Sequence, residues 1–139
     1  MHRLFFRTAS ILAAVAVVFG AFGAHLLKKY LPVDDLTGYH TAVGYQMTHA
    51  LGIFIAGIIY RFYRSKGLIW AGYCFMLGIM FFSGSIYLRL LFNYLQLDWG
   101  RIVIMFAPLG GTLFALGWIF ILFSIPSRKQ LPKKTDEEA

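Results

Sequence analysis

Charge is what this chain has least of. Of 139 residues only 14% are Asp, Glu, Lys or Arg, while 59% are hydrophobic; soluble domains carry about 25% charge. A short soluble chain has too small a core to hide such an apolar excess, so lipid is the expected solvent. Acid is scarcest of all, with six Asp and Glu against thirteen Lys and Arg and a formal net charge of +7. The cations sit in short clusters between apolar blocks, which is the pattern of membrane topology and not of a nucleic-acid surface. No nucleic-acid partner is expected. Cysteine is nearly absent too. The single Cys74 lies inside an apolar block, which excludes an intrachain disulfide and any CxxC metal pair and reads as a small packing residue. A Ser-His-Asp arrangement, a phosphate-cradling glycine loop and a metal-ligand cluster are all missing from the pattern, so no catalytic set and no metal site are expected.

Long apolar runs are what the chain has instead. Four of them, Thr8–Leu27, Ala42–Tyr60, Leu68–Phe92 and Ile102–Ile125, each reach the roughly 20 helical residues needed to cross a hydrocarbon core. The first follows Arg3 and Arg7 and ends on small residues, as a signal peptide would. Its apolar stretch is long for a signal core, so a retained helix is expected. The fold class is therefore all-α, an integral membrane four-helix bundle occupying residues 1–126. The remainder, 127–139, carries charge of both signs and reads as a disordered cytoplasmic tail.

Lys and Arg counts set the orientation. Nine fall on one side (Arg3, Arg7, Arg61, Arg64, Lys66, Arg128, Lys129, Lys133 and Lys134), against Lys28, Lys29, Arg89 and Arg101 on the other. The excess puts both termini in the cytoplasm. The first connection has its own pattern. Pro32 is followed by Asp34 and Asp35 as candidate caps, and Leu36, Tyr39, Val43 and Met47 recur at helical spacing. A short interfacial helix is expected there, running into or bending into the second span, with Gly44 as the candidate bend.

Small residues recur every fourth position at Ala16, Gly20 and Ala24, and again at Ala107, Gly111 and Ala115. Rows of this kind let helices approach closely in lipid. Gly20, Gly23, Ala24, Pro108, Gly110 and Gly111 are the expected packing residues. Pro108 cannot donate to its helix and disturbs the turn before it. Within the expected topology the unusual polar residues gather in the outer third. These are His25 at the end of the first span; Tyr45, Gln46 and His49 on one face of the second; and Ser83, Ser85 and Arg89 in the third. Polar groups at membrane depth are costly and face the bundle interior. They form either a common site or a common hydrogen-bond network, with His40 an ordinary interfacial residue.

The segments "GAFGAH" at 20–25, "LKKYLP" at 27–32, "YQMTHA" at 45–50, "FSGSIYL" at 82–88 and "PLGG" at 108–111, in that order, resemble the YgdD-like family of small four-span membrane proteins, a domain of unknown function. The resemblance spans most of residues 8–123. It departs at Ala107, where many members place a hydroxyl residue before the proline. It implies an integral plasma-membrane protein with its motifs in the outer half, and no established activity.

Three function classes follow. The first is a non-enzymatic accessory, assembly or stabilising factor, serving a larger membrane complex or a homo-oligomer. The second is a cofactor module, in which His25 and His49 ligate haem iron, or His49, Gln46 and Arg89 hold a quinone or lipid headgroup. The third is an oligomeric transporter or proton-linked channel titrating at His25 and His49. The first is the expectation; no cofactor is required by it.

Overall fold

The computed structural model describes residues 1–125, so the charged tail expected at 127–139 lies outside the described residues. Apolar runs with no partner but lipid must close their hydrogen bonds internally, and the described chain is helical almost throughout. It forms α1 (His2–His25), α2 (Val33–Phe62), α3 (Lys66–Phe81), α4 (Ser83–Tyr94), the single turn α5 (Gly100–Val103) and α6 (Ala107–Ser124). Short 3-10 turns at Leu27–Lys29 and Ile104–Phe106 link α1 to α2 and α5 to α6. Counted as membrane-length stretches, there are four: His2–Lys29, Val33–Phe62, Lys66–Tyr94 and Gly100–Ser124. All are long and apolar enough to cross a membrane. The four-helix bundle is as the sequence leads one to expect.

Local chemistry explains the boundaries. Pro32 precedes α2 with φ −56°, where its missing N–H costs the helix nothing. Asp34 and Asp35 do not cap it; they occupy the first turn, where carboxylates complement the helix dipole. Ser65 caps α3 by accepting a bond from the Gly67 N–H at 3.2 Å. Gln96, with φ 56°, turns the chain after α4.

Two long stretches differ from the simplest reading. The amphipathic segment after Pro32 runs unbroken into the second span as one 30-residue helix. Gly44 does not interrupt it, and a Cβ added there would meet open space. The third span, by contrast, breaks at Phe82 between α3 and α4. Ser83, Gly84 and Ser85 follow the break, and helices kink at such Ser/Gly groups when side chains compete for the backbone. The fourth span also tightens into a 3-10 turn immediately before Pro108, which then sits in the first turn of α6, the position where proline is tolerated.

α2 is the central helix, packed against α1, α3 and α4, while α6 packs chiefly on α3. The apolar core joins Phe5, Ala9, Ile53, Ala56, Leu68, Ala71, Phe75, Ile79, Phe114 and Ile121. Glycines make room for its rings. Phe75 lies against Gly52 and Gly117, Phe5 against Gly72, and Phe114 against Gly78. Among the described glycines the closest backbone approach is at Gly110, which faces the backbone of Phe82 at the α3–α4 break.

The small-residue rows are rotated from the expected faces. On α1 the packed positions are Ala9, Ala16 and Gly23, with Tyr39 over Gly23, while Ala24 is exposed. Gly20 meets Val43 at an ordinary 3.7 Å. On α6 the contact row is Gly110, Phe114, Gly117 and Ile121, whereas Gly111 faces open space and Ala115 is exposed. Both helices are apolar nearly all round, so hydropathy could not say which side faced protein.

Candidate functional site

The buried side of α2 reads Tyr39, Ala42, Gln46, His49, Ile53 and Ala56, a 3-4 alternation that keeps one stripe facing its neighbours. Its first half is polar, and each polar group there finds a partner on another helix or on its own. The Tyr39 hydroxyl donates to the Phe19 carbonyl at 2.8 Å. Gln46 bridges two helices: Nε2 donates to the Leu12 carbonyl at 2.9 Å, and Oε1 accepts from the Tyr87 hydroxyl at 3.1 Å. The Ser83 hydroxyl, fully buried, crosses to the Ala42 carbonyl at 2.8 Å. α1, α2 and α4 are thus tied by a ladder of hydrogen bonds that lipid cannot replace.

One turn further along α2, His49 enters an aromatic enclosure. Its ring stacks on Phe114 with centroids 3.5 Å apart and planes 9° apart. Tyr45, Phe75 and Trp118 approach at 5.7, 5.5 and 6.2 Å. Nδ1 lies 2.8 Å from the Tyr45 carbonyl. A carbonyl only accepts, so Nδ1 carries the proton and Nε2 presents a lone pair. His49 is 5% exposed, held between apolar faces.

The remaining expected residues are placed differently. Tyr45 is 44% exposed and contributes its ring, stacked on Phe82 at 4.7 Å. Ser85 is buried but bonds the Phe82 carbonyl one turn back, steadying the break and reaching no other helix. Arg89 is surface-exposed and lies 3.7 Å from Asp35 at the start of α2. His25 is exposed at the end of α1. It makes no side-chain hydrogen bond among the described residues.

His25 and His49 do not share a level. Gln46 bonds Leu12 and Tyr39 bonds Phe19, so α1 and α2 run antiparallel and His49, one turn beyond Gln46, lies near the height of residues 9–12. At about 1.5 Å rise per residue, His25 stands roughly 20 Å above it. The two rings of one chain cannot flank one iron, which goes against the alternative of a His25–His49 haem pair. Nor do Gln46 and Arg89 converge on His49, since the first is spent on Leu12 and Tyr87 and the second on Asp35.

Tyr39 and Tyr87 are the members that composition did not single out. The available signal was spacing: Ser83 and Tyr87 are four apart, and Tyr39 leads the 3-4 stripe of α2. Above them, between the end of α1 and α4, opens a cavity of about 520 Å³ walled by Phe19, Phe22, Leu26, Tyr39, Tyr87 and Leu90 among others. Among the described residues no three His, Cys, Asp or Glu side chains converge as a metal site would require, and no fully buried side-chain N or O lacks a partner.

A family model described as "Protein of unknown function (DUF423)" matches residues 19–111, a stretch that contains the Gly20–His25, Tyr45–Ala50, Phe82–Leu88 and Pro108–Gly111 motifs. A UPF0382 membrane protein of Staphylococcus haemolyticus is 38% identical over 88% of this chain and 94% of its own. The UPF0382 membrane protein YwdK of Bacillus subtilis is 36% identical over 86% and 94%. A UPF0382 membrane protein of Haemophilus influenzae is 30% identical over 83% and 87%. No solved structure matches the chain. Four membrane-length helices, the motifs in order and likenesses over more than four fifths of the chain agree: the chain is an integral membrane protein and belongs to the DUF423 family.

Proposed function

We propose that the protein is a non-enzymatic accessory or assembly factor of the plasma membrane, with both termini in the cytoplasm, that holds or stabilises a larger membrane protein by its outer helices. The observation that carries the reading is the spending of polar groups. Gln46, Ser83, Ser85, Tyr39 and Tyr87 are all committed to fixed hydrogen bonds, a pattern that stiffens a bundle and leaves few groups for proton or acyl chemistry. Apolar surface, by contrast, is abundant. α1 buries only Phe5, Ala9, Ala16 and Gly23, and α6 only Gly110, Phe114, Gly117 and Ile121. Two nearly bare helices on opposite flanks of a stiff core suit lateral association, where close packing in lipid drives affinity.

The test is cross-linking in native membranes, followed by mild-detergent purification of the tagged full chain and quantitative mass spectrometry. The expected result is one stoichiometric membrane partner whose cellular half-life shortens when this protein is deleted. A chain that purifies alone, with an unchanged membrane proteome on deletion, would reject the reading. So would a stoichiometric haem absorption band or co-purified quinone, which would move the protein to the cofactor class.

A further inference from the structure

We infer that the cavity between α1 and α4 is a binding groove for an anionic phospholipid, taking one acyl chain, with Lys28 and Lys29 receiving the phosphate headgroup. This does not depend on the accessory reading above.

The groove is roomy enough. Its volume of about 520 Å³ falls within the roughly 300–1,000 Å³ of small-molecule sites. α2 forms its floor through Tyr39, and α4 forms one wall through Tyr87, Leu90 and Leu91. The polar ends of the two floor tyrosines are already used. Tyr39 donates to Phe19 and Tyr87 to Gln46, so the inner groove offers ring faces and aliphatic carbon and few free polar groups. A hydrocarbon chain fits that lining; a polar ligand would lose its own hydration without recompense.

The mouth has the opposite character. Tyr30 and Tyr94 border it and are 72% and 76% exposed, as the amphipathic aromatics of a membrane–water interface are. Lys28 and Lys29 follow directly on Leu27, which lines the groove. Both are exposed, and neither has an ion-pair partner among the described residues. On the same side of the bundle Arg89 pairs with Asp35, Asp34 lies in the first turn of α2, and Asp98 and Arg101 lie beyond the end of α4. Two adjacent unpaired cations at headgroup height, above an apolar groove, complement a phosphate on an acyl chain.

The experiment is native mass spectrometry of the full chain released from nanodiscs of equimolar phosphatidylcholine and phosphatidylglycerol. The wild type is expected to retain one phosphatidylglycerol with about thirtyfold preference, the scale set by two lysines near an anionic group. The Lys28→Gln/Lys29→Gln double variant, altered only on an exposed turn, is expected to lose the preference. Leu91→Trp, which fills the groove from a half-exposed position, is expected to lose the retained lipid itself. Its thermal unfolding by circular dichroism is the check that it folds. Equal retention of both lipids by the wild type would overturn the proposal as ordinary annular lipid. Wild-type preference in the lysine variant would overturn the headgroup assignment. A dimer mass abolished by Leu91→Trp would assign the groove to a second copy of the chain and overturn it as well.

Discussion

At the scale of single residues, the glycines divide by what their missing side chain would have touched. A methyl at Gly110 would collide with the backbone of Phe82, which cannot rotate aside as a ring can. Gly110→Ala should therefore destabilise the bundle by about 1–3 kcal/mol, the usual cost of overpacking. Gly44 and Gly111 face open space within helices. There Gly→Ala should be neutral or stabilise by about 0.4–1 kcal/mol. Reversible unfolding in mixed micelles reads all three, and equal loss at the three sites would contradict the assigned contacts. The "PLGG" motif alone could not separate Gly110 from Gly111. Adjacent positions point about 100° apart on a helix, and α6 is too uniformly apolar to show which direction holds the neighbour. Gln46 was legible for the opposite reason: an amide inside an apolar span requires partners, although the sequence did not name Leu12 and Tyr87. Removing it tests the ladder. Gln46→Leu should cost about 1–2 kcal/mol, because it removes two hydrogen bonds at once and leaves the Tyr87 hydroxyl without a partner, whereas Tyr87→Phe should cost nearer the ~0.6 kcal/mol average for such bonds in membranes. Similar losses in the two variants would mean that Gln46 is not the junction.

At the scale of elements, the spans were legible because hydropathy over some 20 residues is a strong sum, insensitive to any one position. Their interruptions were not. The third span reads as one apolar run, yet it divides at Phe82, where Ser85 takes the local carbonyl and Ser83 turns to Ala42. That exchange lets α4 lean on α2 while α3 keeps its face for α6. The reverse occurs after Pro32, where the acids and the spacing of Leu36, Tyr39, Val43 and Met47 suggested a short surface helix running or bending into the second span. Thr37 and Thr41 spend their hydroxyls on carbonyls four residues back in the same helix, and the 3-4 stripe passes from Tyr39 to Ala56 without a shift of phase. His25 was drawn into the candidate site by its expected depth at the outer end of the first span. Gly23 does pack there, against Tyr39 and the edge of His40, but two residues along a helix is more than half a turn, and His25 looks outward.

At the scale of the whole molecule, the unequal Lys and Arg counts imply an orientation that labelling can read. With Cys74 replaced by Ala, Thr37→Cys should react with a membrane-impermeant maleimide in intact cells, and Arg64→Cys only after permeabilisation. The opposite pattern would invert the protein and put the groove in the other leaflet. The hydrogen bonds also impose an order on assembly. Tyr39 to Phe19 and Gln46 to Leu12 lie wholly within the first 62 residues, so the opening helical hairpin can clasp itself as soon as it leaves the ribosome and translocon. The Gln46 oxygen must then wait for Tyr87, 41 positions downstream. A nascent chain halted between them would carry one unmet acceptor into lipid, a natural handle by which quality control could tell an unfinished bundle from a completed one.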